Sequence, residues 1–153
     1  MLDRAIQSAI QPLLTRAARQ LVAVGIGADA ITVTGFVIGM AAAVAIVFEA
    51  YLVSLVLLLA SRLMDGLDGA VARATKPTDR GGFLDITLDF LFYGSIPLAF
   101  AVANPAQNAL PAAVLLAAFI GTASSFLAFA IVAEKHRLAS TAFPDKKIGR
   151  AHV

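Results

Sequence analysis

The sequence predicts an all-α integral membrane protein with an N-terminal interfacial amphipathic helix and four transmembrane helices. Three observations lead to this fold class. The 153-residue chain is 59% hydrophobic and only 14% charged, its mean hydropathy is +0.85, and its apolar residues form runs long enough to cross a bilayer. A soluble domain of this size rarely has such a composition, so the membrane class is favoured before any motif is considered.

The distribution of basic residues predicts the orientation of the chain. Lys and Arg occupy an N-terminal, a central and a late segment, whereas the connections around residues 49–51 and 104–106 contain none. By the positive-inside rule the three basic segments are cytoplasmic, and this alternation requires four spans. We therefore expect an inner or plasma membrane protein of a prokaryote, with its N-terminus on the cytoplasmic side.

The first element, residues 1–22, is predicted to be an amphipathic surface helix. Its apolar residues recur at helical spacing while arginines and glutamines occupy other faces. The segment lacks the compact apolar core and small-residue cleavage site of a signal peptide. The alternative is a soluble helix that binds a cytoplasmic partner, which is less favoured because a spanning segment follows so closely.

Four spans follow, at residues 30–48, from residue 51 onward, 81–103 and 109–133. Asp29 stands where it could cap the first span. Gly35 and Gly39 in that span, like Gly121 and Ser125 in the last one, are small residues four apart. This spacing predicts close approach of another helix.

The second span is unusual. Residues 51–60 are apolar, but Arg62, Asp65 and Asp68 appear before the helix could have crossed. Because charged side chains are costly at membrane depth, the second half of this helix is predicted to face a polar cavity. We expect Arg62 to form a salt bridge or to anchor the helix end.

Four carboxylates are predicted to meet in this cavity. Asp65 and Asp68 are three residues apart, and Asp85 and Asp89 are four apart, so each pair lies on one helical face. Counting the helical rise places both pairs at a similar depth near the cytoplasmic side. Carboxylates held together repel unless cations neutralise them, and without cysteine the ligands are oxygens, which suit Mg²⁺ or Mn²⁺.

Two such ions could clamp a phosphoryl displacement. The glycines around the acids would leave room for a diphosphate and its metals; they are Gly66, Gly69, Gly81 and Gly82. Two alternatives remain open. The acids could form buried salt bridges with Arg62, Arg73 and Arg80, or they could line the pathway of a cation or proton transporter.

The acidic segment resembles the signature of the CDP-alcohol phosphatidyltransferases, integral membrane enzymes of phospholipid biosynthesis. That signature reads D-x2-D-G-x2-A-R-x8-G-x3-D-x3-D. Its fixed positions are filled by Asp65, Asp68, Gly69, Ala72, Arg73, Gly81, Asp85 and Asp89, with seven residues instead of eight between Arg73 and Gly81. The segment A-D-A-I-T-V-T-G also resembles the family's P-N-x-L-T-L-x-G entry to the first span, with Ala28 in place of the proline.

The resemblance implies the reaction and the roles of individual residues. A phosphatidyl or related phosphoalcohol group would pass from a CDP-linked donor, such as CDP-diacylglycerol, to an alcohol acceptor, and CMP would be released. Asp65, Asp68 and Asp85 would ligate a binuclear Mg²⁺ or Mn²⁺ centre, with Asp89 completing the site and acting as general base. The implied donor contacts are Thr32, Gly69, Arg73 and Thr78.

The resemblance covers residues 28–104 most closely and implies a six-span fold of which this chain holds the first part. Residues 28–137 would be an incomplete transmembrane catalytic domain, so an inactive fragment of the enzyme is a further alternative. The expected partners are the donor, the acceptor and membrane lipids, with no nucleic acid, and a homodimer is compatible with this class.

The last residues differ in kind from the rest. Residues 138–153 are predicted to be a tail, and residues 148–153, with the sequence IGRAHV, match the translation of one reading frame of a common sequencing adapter. We therefore expect these six residues to be an artefact and the natural protein to continue. Arg150 and His152 carry no mechanistic weight.

Overall fold

A computed structural model describes the backbone of residues 2–142 and the side chains of residues 11–136. All regular secondary structure in this part of the chain is helical, which confirms the predicted class. The five helices are α1 (Leu2–Ala23), α2 (Ala28–Val47), α3 (Tyr51–Ala74), α4 (Asp79–Ala103) and α5 (Pro105–Ala142). The proposed adapter segment lies outside the described residues.

Three helices are long and apolar enough to cross a membrane, namely α2, α4 and the part of α5 up to His136. The second predicted span corresponds to α3, which has 24 residues. Because its second half carries several charged residues, α3 is not counted among the helices apolar enough to cross a membrane. The chain is thus confirmed as an integral membrane type, and the crossing of the bilayer by α3 stays a prediction.

The N-terminal helix α1 packs on α3 through small and branched residues. Ala18 of α1 and Val71 of α3 are both fully buried, in a cluster with Ile31 of α2 and with Leu67 and Ala70 of α3. Small side chains at this contact allow the two helix backbones to approach closely. The charged end of α3 is therefore fixed against α1.

The glycines of α2 bring it close to both α3 and α4, as predicted. A Cβ added at Gly35 would lie 2.9 Å from Met64 Cβ of α3, and one added at Gly39 would lie 2.6 Å from Phe92 Cδ2 of α4. The hydroxyl of buried Ser61 also donates a hydrogen bond to the Gly35 carbonyl at 2.8 Å. Helix α2 thus supports the two helices that carry the acids.

The predicted capping role of Asp29 is wrong. Helix α2 begins at Ala28, two residues before the predicted start of the span, and its N-cap is Gly27, which has an extended backbone and makes no side-chain capping hydrogen bond. Asp29 lies in the first turn, where a negative charge suits the helix dipole. One of its carboxylate oxygens lies 3.4 Å from Arg80 Nε, at the start of α4.

The chain divides into two compact units, of which the first ends at Leu115 and the second begins at Leu116. The first unit contains α1–α4. In the second unit, the side chains of α5 up to residue 136 are almost all exposed. No described atom would lie within 4 Å of a Cβ at Gly121, so this part of the chain does not itself provide the helix contact predicted there.

Candidate active site

Three of the four predicted acids converge. Asp65 of α3 and Asp85 and Asp89 of α4 each offer one carboxylate oxygen, and these three oxygens lie within 4.8 Å of one another. The spacing of four residues places Asp85 and Asp89 on one face of α4, which turns toward α3. The structure thus brings together an all-oxygen ligand group, of the kind that a hard divalent cation prefers.

The fourth acid, Asp68, lies beside this group and is held by α2. Its carboxylate accepts a hydrogen bond from the Thr32 hydroxyl at 2.6 Å, and the residue is only 5% exposed. The same hydroxyl is 3.1 Å from the Ala28 carbonyl, one turn earlier in α2. Thr32, expected to contact the donor, therefore also fixes the orientation of Asp68.

Arg62 forms the salt bridge expected of it, and this places it inside the acidic group. Its Nη1 atom lies 3.1 Å from an oxygen of Asp89 and 3.7 Å from an oxygen of Asp65. The sequence predicted a salt bridge or a helix-end anchor for Arg62 and gave it no part in the reaction. The available signal was its position three residues before Asp65, on the same face of α3.

The other two arginines are arranged differently from the predicted salt bridges. Arg80 pairs with Asp29 and not with the four acids. Arg73 lies against Gly69, since a Cβ there would be 3.2 Å from Arg73 Nη1. Among the described residues, Arg62 is thus the one arginine of the three whose ion pairs are with the carboxylate group.

A cavity of about 390 Å³ adjoins the carboxylates. Asp68 and Asp85 form its wall nearest the acidic group, and the residues expected to contact the donor line much of the rest. Three of the four expected donor contacts, Thr32, Gly69 and Thr78, line the cavity together with Gly81 and Gly82, whereas Arg73 is not among its lining residues. A small cleft next to this cavity is lined by all four aspartates and Arg62.

The prediction that Gly66 leaves room for a ligand is wrong. A Cβ at Gly66 would meet Leu14 of α1 at 3.5 Å, because a step of one residue from Asp65 turns the side-chain direction by about 100°. Gly66 therefore belongs to the contact between α1 and α3. Gly69, Gly81 and Gly82 do line the cavity.

The connection between α3 and α4 is short and ordered by Thr78. Residues 75–78 join the two helices, and the Thr78 hydroxyl accepts a hydrogen bond from the Gly81 N–H at 3.0 Å. Thr78 is thus the N-cap of α4. The missing residue of the signature falls between Arg73 and Gly81, and so in this connection or in the helix turns on either side of it.

The comparison with protein families agrees with this arrangement. The profile of the family described as CDP-alcohol phosphatidyltransferase matches residues 26–152. The chain belongs to this family. It is therefore related to membrane-bound phosphotransferases that act on a CDP-alcohol donor and an alcohol acceptor in phospholipid biosynthesis, as the resemblance of the signature implied.

Individual relatives include proteins from bacteria and archaea. The chain is 51% identical over 146 residues to the inner membrane protein YnjF of Escherichia coli. The aligned residues cover 95% of this chain and 71% of the relative. It is 46% identical over 74 residues to an archaetidylinositol phosphate synthase of Methanothermobacter thermautotrophicus, covering 48% of this chain and 38% of the relative.

A second archaetidylinositol phosphate synthase, from Pyrococcus horikoshii, is 35% identical over 98 residues, which cover 63% of this chain and 52% of that protein. The matched part of this chain thus spans about half or less of the two archaeal synthases. No solved structure gives a significant match.

Proposed function

We propose that this CDP-alcohol phosphatidyltransferase moves a phosphatidyl or related phosphoalcohol group from a CDP-linked donor, such as CDP-diacylglycerol, to an alcohol, with release of CMP. The observation that carries the proposal is the convergence of three carboxylate oxygens, from Asp65, Asp85 and Asp89, within 4.8 Å of one another. They adjoin a cavity of about 390 Å³ that is lined by the glycines of the family signature.

The proposed cofactor is Mg²⁺ or Mn²⁺, bound as a pair of ions. Asp65, Asp85 and Asp89 supply oxygen ligands, and Asp68, at the edge of the group, adds a fourth carboxylate. When bound, the ions would neutralise the diphosphate and stabilise the charge that develops as the phosphoryl group is transferred. The hydrogen bond from Thr32 supports a fixed orientation for Asp68.

In the proposed reaction, Asp89 acts as general base. It takes the proton of the acceptor hydroxyl, and the acceptor oxygen then forms a bond to the phosphorus that carries the lipid. The bond from that phosphorus to the CMP oxygen breaks, and CMP leaves with the electron pair. Asp89 is suited to this role because its position is set by Arg62 at 3.1 Å and because it lines the cleft beside the donor cavity.

The donor would occupy the cavity that is lined by α2, α3, the connection at 75–78 and α4. Thr32, Gly69 and Thr78 line that cavity. Arg73 lies against Gly69, and we propose that its side chain turns toward a phosphate of the bound donor. The one-residue shortening before Gly81 would alter how the nucleotide end of the donor is held.

The acceptor is proposed to be a phosphorylated polyol, with an inositol phosphate tested first. Two archaeal relatives are named archaetidylinositol phosphate synthase, and this name supports an acceptor of that class. Glycerol phosphate and serine are the comparison acceptors.

We also propose that the N-terminus and the site face the cytoplasm and that the protein forms a homodimer. Since the chain has no cysteine, labelling of single introduced cysteines tests the orientation.

The decisive assay measures CMP release from CDP-diacylglycerol by the purified chain in the presence of inositol phosphate and Mg²⁺ or Mn²⁺. We expect release to require the metal and to fall by about 10²-fold or more in Asp89→Asn, the range for loss of a general base. Asp79→Asn is the matched control, because it removes an exposed acid from the first turn of the same helix. Equal losses in both variants would contradict the assignment.

Two other outcomes would support the alternatives. Cation or proton flux in proteoliposomes without any nucleotide, together with no CMP release, would identify a transporter. If a longer natural protein that contains this sequence releases CMP and the 153-residue chain does not, the present chain is an inactive fragment of the enzyme.

A further inference from the structure

Arg62 is the only basic side chain within the carboxylate group among the described residues. One of its terminal nitrogens lies 3.1 Å from Asp89 and 3.7 Å from Asp65, and 3.4 Å from the Tyr93 hydroxyl. The guanidinium therefore bridges α3 and α4 at the oxygens that are proposed to bind metal.

The guanidinium of Arg62 also lies over an aromatic ring. Its guanidinium carbon lies 4.1 Å from the centroid of the Phe92 ring, a cation–π distance, and its buried Nε has no hydrogen-bond partner among the residues that the structure describes. Phe92 is itself only 3% exposed and packs where Gly39 of α2 lacks a side chain. A close-packed support of this kind limits the movement of the guanidinium.

We infer that Arg62 is a positioning residue that fixes Asp89 and serves as a built-in counter-cation of the carboxylate group, and that it thereby weakens metal binding while keeping the site assembled. The catalytic half of this inference rests on the proposed function. The electrostatic half rests only on the distances between Arg62 and the two carboxylates.

The physical reason is competition for the same oxygens. Three carboxylates within 4.8 Å of one another repel, and the positive charge of Arg62 offsets this repulsion when no ion is bound. The same charge repels an entering cation, and Asp89 must share its oxygens between the guanidinium and the metal. A role in packing alone would not oppose metal binding in this way.

The test measures Mn²⁺ binding to the purified, detergent-solubilised full chain by electron paramagnetic resonance. In Arg62→Gln we expect the Kd for Mn²⁺ to fall about tenfold, because one positive charge is removed beside the site. Arg62→Lys keeps the charge and should stay within about threefold of the unmodified protein. Arg19→Gln, which removes an exposed arginine from α1, is the charge-matched control and should leave the Kd unchanged.

The second readout is turnover at saturating metal. Because Asp89 loses its fixed partner, we expect kcat for CMP release to fall about tenfold or more in Arg62→Gln, and to fall less in Arg62→Lys. Tighter Mn²⁺ binding combined with slower turnover is the expected signature. A variant that is merely destabilised would bind Mn²⁺ equally well or more weakly. Such a result for Arg62→Gln would overturn the inference.

The two proposals fail in different ways. If the unmodified chain releases no CMP but Arg62→Gln still tightens Mn²⁺ binding, the counter-cation role stands and this chain does not carry out the proposed reaction by itself. If CMP release is metal-dependent but Arg62→Gln leaves the Kd for Mn²⁺ unchanged, the inference about Arg62 falls alone. Should Arg62→Gln not fold, Arg62→Lys decides, since an unchanged kcat would contradict the positioning role.

Discussion

Helices α2–α4 and the later part of α5 are alike in sequence but differ in packing. Each of these two regions contains an apolar helix with small residues four apart. These residues are Gly35 and Gly39 in α2, and Gly121 and Ser125 in α5. Side chains of α3 and α4 fill the space at the two α2 glycines, whereas no described atom lies near a Cβ built at Gly121. The same pattern therefore has a contact in one region and an open surface in the other.

The hydroxyl groups of the two regions also differ in their burial and in their hydrogen-bond partners. Ser61 is fully buried and donates its hydrogen bond to a carbonyl of another helix. Thr122 is exposed and donates to the Ala118 carbonyl of its own helix at 3.0 Å. Since lipid provides no hydrophobic drive for helix association, close packing and interhelical hydrogen bonds must stabilise the first region.

The largest difference in stability between the two regions is expected when a methyl group is added at Gly39. In Gly39→Ala the new Cβ would lie 2.6 Å from the ring of Phe92 and 2.9 Å from Ser61 Oγ, so α2 or Phe92 must move. We expect a loss of about 1–3 kcal/mol in the free energy of unfolding, the range for overpacking a core. Reversible unfolding by SDS in mixed micelles, followed by circular dichroism, measures this change.

The matched control is Gly121→Ala. Here no atom of the described residues crowds the new methyl group, and alanine is favoured over glycine inside a helix by up to about 1 kcal/mol. We expect unchanged or higher stability. Similar losses in the two variants would show that the glycine of α5 is packed as tightly as the glycine of α2.

A smaller effect is expected from the cap of α4. Thr78→Ala removes the hydroxyl that accepts the Gly81 N–H, and we expect it to cost about 1 kcal/mol of stability. Thr78→Ser should restore most of this loss because it keeps the accepting oxygen. The control Thr122→Ala loses only a local bond on an exposed helix face and should change stability by less than about 0.5 kcal/mol. If it costs as much as Thr78→Ala, capping does not explain the effect.

The smallest effect is expected at Ser61. Ser61→Ala removes one interhelical hydrogen bond, and such bonds contribute about 0.6 kcal/mol on average in a membrane protein. Ser125→Ala, at an exposed position of α5, should have no measurable effect. The same unfolding assay measures both variants, and a loss at Ser125 equal to that at Ser61 would remove the distinction between the two regions.

Much of the fold and part of the site could be predicted from the sequence. Helical spacing alone indicated that Asp65 on one helix would meet Asp85 and Asp89 on the next, because a fixed rise per residue determines depth. The glycines of α2 likewise indicated close helix contacts. These predictions depend on periodicity within a helix, which the chain carries locally.

The remaining features depend on how the helices are rotated and packed against one another. Gly66 turned out to face Leu14 of α1, and Asp68 accepts a hydrogen bond from Thr32 and is not part of the group of three carboxylates. The entry of Arg62 into the site also depends on Phe92, 30 residues later, which supports its guanidinium. Such side-chain partners are chosen by tertiary packing, and spacing along the chain does not encode them.

The four-residue connection at 75–78 has a consequence for how the protein folds. All four carboxylates lie within residues 65–89, on consecutive helices α3 and α4, so bringing the acids together closes only a very short loop. Loop-closure entropy is small for such a hairpin, and chains rich in local contacts fold fast. The four acids can therefore come together through contacts between α3 and α4, and this step does not require α5 to have folded.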